Sequence, residues 1–247
     1  MTHPKILLRQ ASATIFAALL PCLGGHAQDR CQAFNLETLP KREVRAVWLT
    51  TLSNLDWPKG YATTQEGIER QKRQLTEILD RYAEANINTV LFQARVRATT
   101  TYPSALEPWD RCLTGQEGRA PGYDPLRFAI EECHKRGMEL HAWLATIPCG
   151  PWTSLGCRRL RAKGLRLRKL DGAGYLDPSD ERVAPYLASV CAELTEKYDI
   201  DGIHLDYIRY PDGWPRATRR NGDTPDYRRA NINRAPSTRP WRRASRG

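Results

Sequence analysis

The chain has 247 residues, with 38 basic and 28 acidic side chains and a formal net charge of +10. That length suits one large domain or two small ones. The excess charge sits at the ends: residues 215–247 carry ten Arg and two Asp, residues 1–27 add Lys5 and Arg9, and residues 28–214 balance at 26 of each sign. A basic character of that origin is a poor argument for nucleic-acid binding by the body of the chain, and none is expected.

At the N-terminus Lys5 and Arg9 accompany the apolar run Ala11–Leu20, and Gly25-His26-Ala27 places small residues where a signal peptidase reads. This is the pattern of a secretory signal over residues 1–27, cleaved near Ala27. Leu19-Leu20-Pro21-Cys22 offers a second reading, a lipoprotein acylated at Cys22, weakened by the proline before the cysteine. The apolar run is too short to span a bilayer. The expectation is an exported chain, periplasmic or extracellular, without a transmembrane span. Cleavage leaves Cys31, Cys112, Cys133, Cys149, Cys157 and Cys191, an even set that an oxidising compartment allows to pair. Cys149 and Cys157 are near enough in sequence to close a small loop. No Cys-x-x-Cys pair exists, so a structural zinc site is not expected.

Past a polar lead-in, Val44–Leu52 reads as a strand, rich in β-branched and aromatic residues. Thr64 is placed to cap a helix over Gln65–Ala85, in which Ile68, Leu75, Ile78, Leu79 and Tyr82 recur at helical spacing. Thr89–Val96 is a second strand, with Gln93 and Arg95 on one face near its end. The connection to Tyr123 is longer than ordinary loops and hints at function. Asp124-Pro125 opens a helix through Lys135, closed by Gly137. Glu139–Thr146 is a third strand, with His141 and Trp143 on one face. Residues 147–177 are a second long connection, whose stretch Arg158–Lys169 carries seven basic residues. A solvated loop or short helix is the plainer reading of that stretch, and an anion site the sharper one. Ser179 is placed to cap a helix from Asp180 to Tyr198. Ile200–Pro211 then reads as a short buried strand, with Ile203 and Leu205 on an apolar face and Gly202, His204 and Asp206 on the other.

Strands and helices alternate, which is the signature of βαβ units around a parallel sheet. No Gly-x-Gly-x-x-Gly or phosphate-binding loop is present, so a nucleotide fold has no local support. Polar residues instead gather toward the strand ends: Thr50, Gln93, Arg95, His141 and Asp206. That is where a (β/α)8 TIM barrel places its active site, and the strands fit the first four βα units of one.

Long ordered motifs then identify a family. They are Arg45-Ala46-Val47-Trp48-Leu49-Thr50-Thr51, Asn54-Leu55-Asp56-Trp57-Pro58, Tyr102-Pro103-Ser104 and Leu106-Glu107-Pro108-Trp109 in the first half. Leu113-Thr114-Gly115, Pro121–Leu126, His141-Ala142-Trp143, Tyr175-Leu176-Asp177-Pro178 and Asp201–Pro211 follow. Across residues 41–234 the chain resembles the glycosyl hydrolase-like 10 family, exported bacterial proteins with a TIM-barrel domain that are read as glycosidases. The resemblance implies hydrolysis of a polysaccharide, with bacterial cell-wall glycan (peptidoglycan) the foremost substrate and no cofactor. Glycosidases need carboxylates about the scissile bond and aromatic faces for sugar rings. Asp206, near His204, Tyr207 and Arg209, is the catalytic candidate that this implies; Asp56, Glu107 and Asp177 are weaker carboxylate candidates. Trp48, Gln93, Arg95, Tyr102, Trp109, His141, Trp143, His204, Tyr207, Arg209 and Tyr210 are the candidate substrate-binding residues. Each aromatic residue taken alone is also explained by core packing.

Two features depart from the family pattern. Asp226–Arg234 still resembles its next helix, whereas Ala235–Gly247 is rich in Pro, Arg and Ser without apolar periodicity and reads as a disordered basic tail. A family member would carry four more strands, so the expectation is a C-terminally truncated chain with low stability and little activity of its own. Two other functions compete with the hydrolase. One is a non-catalytic glycan-binding protein of the envelope. The other is a metal-dependent hydrolase using His141, His204 and Asp206, although no local metal-ligand motif supports it.

Overall fold

The computed structural model describes residues 43–211. The proposed signal with Cys22 and Ala27, Cys31, Asp226–Arg234 and the tail from Ala235 lie outside the described residues. Strand β1 is shorter than the apolar run predicts, Ala46–Leu49. The Thr50 N–H bonds the Asp56 carboxylate at 2.9 Å instead of continuing the sheet. The chain leaves through a 3₁₀ turn at Leu52–Asn54, with Ser53 and Asn54 both at φ 55°.

Helix α1, Gln65–Glu84, starts where Thr64 accepts the Gly67 N–H at 3.1 Å. Gly67 has no substitute there, because a Cβ would sit 2.4 Å from the Tyr61 carbonyl. Strand β2, Thr89–Arg95, is buried along its whole length. The long connection after it holds one short helix, α2, Arg111–Thr114. Helix α3, Pro125–Lys135, has the bounds its sequence announces: the Asp124 carboxylate caps the Arg127 N–H at 3.0 Å, and Gly137 follows at φ 68°. Strand β3 is Glu139–Ala145.

The connection 147–177 is a folded insertion and not a loop. It contains β4, Pro148–Pro151, helix α4, Leu155–Ala162, β5, Leu167–Leu170, and β6, Ala173–Leu176. The strands form an antiparallel sheet in the order β4-β6-β5. Asp171 and Gly172 join β5 to β6 with φ of 48° and 79°, the double positive-φ turn that Asp-Gly favours between hairpin strands. The basic stretch Arg158–Lys169 is therefore the end of α4 and most of β5.

Helix α5 is Val183–Lys197, and it begins later than the Ser179 cap predicted. The Ser179 hydroxyl donates to the Asp177 carboxylate at 2.7 Å, in a turn that precedes the helix. The last described strand, β7, is Gly202–Asp206. It corrects the expectation of a buried strand, because among the described strands it pairs with β3 alone. Ile203 packs on the core, but Leu205 is 43% exposed.

Four parallel strands thus lie in the order β1-β2-β3-β7, the order in which the chain makes them. A doubly wound sheet reverses its strand order at a switch point. A (β/α)8 wall does not, and the described sheet runs through four successive strands of such a wall without reversal. The main core lies between the sheet and the helices, around Leu75, Leu79, Phe92, Leu126, Leu140 and Leu194. A second cluster, with Ile147, Leu160 and Leu176, anchors the insertion. Among the described residues no helix is long and apolar enough to cross a membrane.

Candidate active site

Alternation along the strands sends Gln93, Trp143 and Asp206 to the sheet face opposite the helices. The register sets Gln93 beside Trp143, and Ala145 beside Asp206. Asp206 ends β7, and its carboxylate is held at both oxygens. Oδ2 accepts the Trp143 indole N–H at 3.0 Å, and Oδ1 accepts the Tyr207 backbone N–H at 2.7 Å. Its carbonyl takes the Thr146 N–H at 2.9 Å and hydroxyl at 2.7 Å, so the residue is also fixed through the main chain. Tyr207, whose N–H bonds the carboxylate, is itself in the left-handed region at φ 49°. Such conformations are costly for residues other than glycine and gather at functional sites.

A cavity of about 420 Å³ opens at these strand ends. Thr50 and Gln93 form part of its floor, Trp143, Tyr175 and Tyr207 give it aromatic walls, and Arg209 lines its rim. The Arg209 guanidinium lies 5.6 Å from the Tyr207 ring centre and donates to the Tyr210 carbonyl at 3.2 Å. A second cavity of about 620 Å³ adjoins it, sharing Leu52, Val96, Arg97 and Gly150. Ser53 and Asn54, both with φ of 55°, line this second space.

The candidates from the sequence divide into three groups. Gln93, Trp143, Tyr207 and Arg209 come together on the first cavity; Asp206 is not on its lining but is hydrogen-bonded to two of its wall residues, Trp143 and Tyr207, and Tyr210 follows Arg209 in the chain. Trp48, His141 and His204 lie on the same sheet face but off the cavity lining. Trp48 is 52% exposed and meets the His204 ring edge-on at 5.7 Å. His141 is the third residue of β3 and not near its C-terminal end; its Nε2 is 3.3 Å from the Glu139 carboxylate and its ring packs over Gly202.

The third group is a correction. Arg95 and Tyr102 are enclosed, and Trp109 is half-buried against the core. Arg95 is 0% exposed and grips Glu107 with two bonds of 2.8 and 2.7 Å. Its remaining donors go to the Ala145 and Thr146 carbonyls, and Tyr186 OH adds a 2.9 Å bond to Glu107. Burial alone would lower the Arg95 pKa, but the Glu107 charge and hydrogen bonds outweigh it and hold the guanidinium firmly protonated. Tyr102 is buried with its hydroxyl on Glu193 at 3.2 Å, and burial drives its pKa upward. Trp109 packs against the main core.

Two of the weaker carboxylate candidates are equally engaged. Glu107 holds Arg95, while Asp177 is bound by Ser179 and by Arg168 at 2.9 Å. Asp56 caps the Thr50 N–H from an exposed loop. Among the described residues no three His, Cys, Asp or Glu side chains converge as a metal set, so His141, His204 and Asp206 do not form one. The five described cysteines are free thiols. Cys157 Sγ donates to the Cys149 carbonyl at 3.1 Å. A bond with the Cys149 thiol draws the Cys157 pKa down to about 7, while burial pushes that of Cys149 up.

Tyr175 and the shared residue Arg97 are cavity-lining residues that the sequence reading did not nominate. The Asp171-Gly172 pair was the available signal for Tyr175, since it folds β6 back and brings Tyr175 to the cavity.

A sequential parallel sheet with a carboxylate and aromatic walls at its C-terminal strand ends defines an α/β protein of the barrel type with a strand-end ligand site. The chain belongs to the glycosyl hydrolase-like 10 family, whose model matches residues 43–245. It is 33% identical over 186 residues to the glycosyl hydrolase YngK of Bacillus subtilis, covering 69% of this chain and 34% of that protein. It is 32% identical over 184 residues to the glycosyl hydrolase DigH of Escherichia coli, covering 68% of this chain and 42% of that protein. The chain therefore spans between a third and a half of the length of these relatives. A maltogenic α-amylase, AmyB of Thermotoga neapolitana, aligns in structure over 66% of this chain and 38% of its own, at 15% identity and a TM-score of 0.44.

Proposed function

We propose that this chain is the site-bearing part of an exported glycoside hydrolase acting on a polysaccharide, foremost bacterial cell-wall glycan, with Asp206 as a catalytic carboxylate. The observation that carries this reading is the Asp206 carboxylate, held by the Trp143 N–H and the Tyr207 N–H beside an aromatic-walled cavity. Family membership and the names of the relatives support it. Donors at both oxygens orient the carboxylate, as a positioned nucleophile or transition-state stabiliser requires. Trp143 and Tyr207 offer faces for sugar rings, and Trp143 also orients the carboxylate. Export is supported by the pattern over residues 1–27.

A second reading has its own support. Hydrolysis needs two carboxylates, and of the sequence candidates Glu107 and Asp177 are tied into ion pairs. This favours a glycan-binding protein that retains the cavity without turnover. Incubation with purified cell-wall glycan strands separates the two. Soluble fragments released by the chain and not by its Asp206→Asn variant assign the hydrolase. Equal binding by both proteins without release assigns the binding module. Neither binding nor release rejects both.

A further inference from the structure

We propose that Gln93 selects the sugar bound in the first cavity, by donating from its amide nitrogen to an acceptor oxygen on the ring. The inference rests on the glycan reading above and deepens it. Gln93 is 3% exposed. Its Oε1 accepts the Thr51 N–H at 2.9 Å, the Leu52 N–H at 3.0 Å and the Thr50 hydroxyl at 2.7 Å. Backbone N–H groups can only donate, so they dictate which end of the amide is oxygen.

Nε2 is thereby turned away from the 3₁₀ turn. No described protein group accepts from it, yet no buried side-chain nitrogen or oxygen is left without a partner. The amide nitrogen is therefore the accessible atom of an otherwise enclosed side chain, and the space that Gln93 lines is the cavity. A nearly buried donor without a protein partner is stabilised by a ligand acceptor, and a ligand lacking one is penalised.

The chemistry of the two ends of the site is complementary. Gln93 offers donors only at Nε2, and the Asp206 carboxylate offers acceptors only. A ring that fits both presents an acceptor oxygen toward β2 and a donor or reacting centre toward β7. A ring hydroxyl and the carbonyl of an acylamino group share the acceptor chemistry that Gln93 reads. Leu52, Ile147 and Pro148 on the same lining provide the apolar surface that an acyl methyl group would meet.

The test uses Gln93→Glu and Gln93→Leu in the full chain, with titration calorimetry against chitohexaose, its deacetylated form and cellohexaose. Gln93→Glu keeps an acceptor for Thr50, Thr51 and Leu52 but removes the donor from the cavity. It is expected to retain the wild-type melting temperature and to lose about tenfold or more in affinity for the preferred oligosaccharide. Gln93→Leu is expected to lose affinity and melting temperature together. Preference of the wild type for chitohexaose over both others identifies an acylamino carbonyl, and equal binding of all three identifies a hydroxyl. A Gln93→Glu protein that binds like the wild type overturns the inference and leaves the glycan reading standing. A wild type that binds none of the three overturns both.

Discussion

Arg95 and Gln93 stand two residues apart at the end of β2, with a break in the β2–β3 register between them, and the protein uses them in opposite ways. Every Arg95 donor group is engaged with Glu107 or with carbonyls at the end of β3, in a network sealed from solvent. Gln93 spends its oxygen on the 3₁₀ turn and keeps its nitrogen for the cavity. A polar residue at a strand end is therefore not a site by position alone. What separates scaffold from site is whether any hydrogen-bonding atom remains unspent. By the same measure Glu107 belongs to the scaffold, and Asp206, half-buried with one donor at each oxygen, belongs to the site.

The largest effect that would break this contrast comes from Glu107→Gln. It leaves the Arg95 charge buried without its counter-ion, which costs about 3–5 kcal/mol. Urea denaturation measures it, and a stability equal to wild type would remove Glu107 from the scaffold. Next in size is Gly156→Ala. A Cβ there would meet the Ala98 carbonyl at 2.4 Å, where α4 backs the second cavity. Overpacking of this kind costs about 1–3 kcal/mol, and calorimetric melting checks it.

A smaller effect follows from pH. The Arg182 hydrogen bond holds Asp180 below the usual carboxylate range. Burial raises Asp177, but Ser179 and Arg168 outweigh it and leave Asp177 low as well. Both groups titrate lower in the folded chain than in the unfolded one. Their stabilisation is complete above the usual value of about 3.9 and is lost as pH falls through the folded values. Melting temperatures measured downward from pH 6 are expected to hold to about pH 4 and then fall, and Asp180→Asn is expected to flatten that fall. The smallest effect is expected from Trp48→Ala, because Trp48 is half-exposed and off the cavity. A stability change within about 0.5 kcal/mol and unaltered oligosaccharide affinity are the predicted results. A marked loss of affinity would extend the site along the sheet face.

The sequence carried the fold wherever the signal is local. Asp124-Pro125 and Gly137 set the bounds of α3, and Thr64 set the start of α1. The insertion was misjudged because its strands are four residues each and Pro148 and Gly150 obscure β4, although Asp171-Gly172 marked the hairpin. The exposure of β7 could not be read from its own residues, because edge position depends on what pairs beyond it. Gln93 and Arg95 could not be told apart for a similar reason. Their fates are set by Glu107, twelve residues from Arg95 in sequence, by Tyr186, 79 from Glu107, and by a turn 42 residues before Gln93. Asp206 and Tyr207 were legible because they are neighbours at the end of one strand, and Trp143 lies on the adjacent strand two residues before the level of Asp206.

The central claim is that ligand meets the open cavity and not the enclosed network, and one paired measurement tests it most directly. Titration of cell-wall glycan oligosaccharides into Trp143→Ala and Tyr186→Phe compares a cavity wall with a network member. Trp143→Ala is predicted to weaken binding about tenfold or more, through loss of its ring face and of the Asp206 hydrogen bond. Tyr186→Phe is predicted to bind like the wild type while losing about 1 kcal/mol of stability with its bond to Glu107. Weakened binding in Tyr186→Phe together with intact binding in Trp143→Ala would contradict the account.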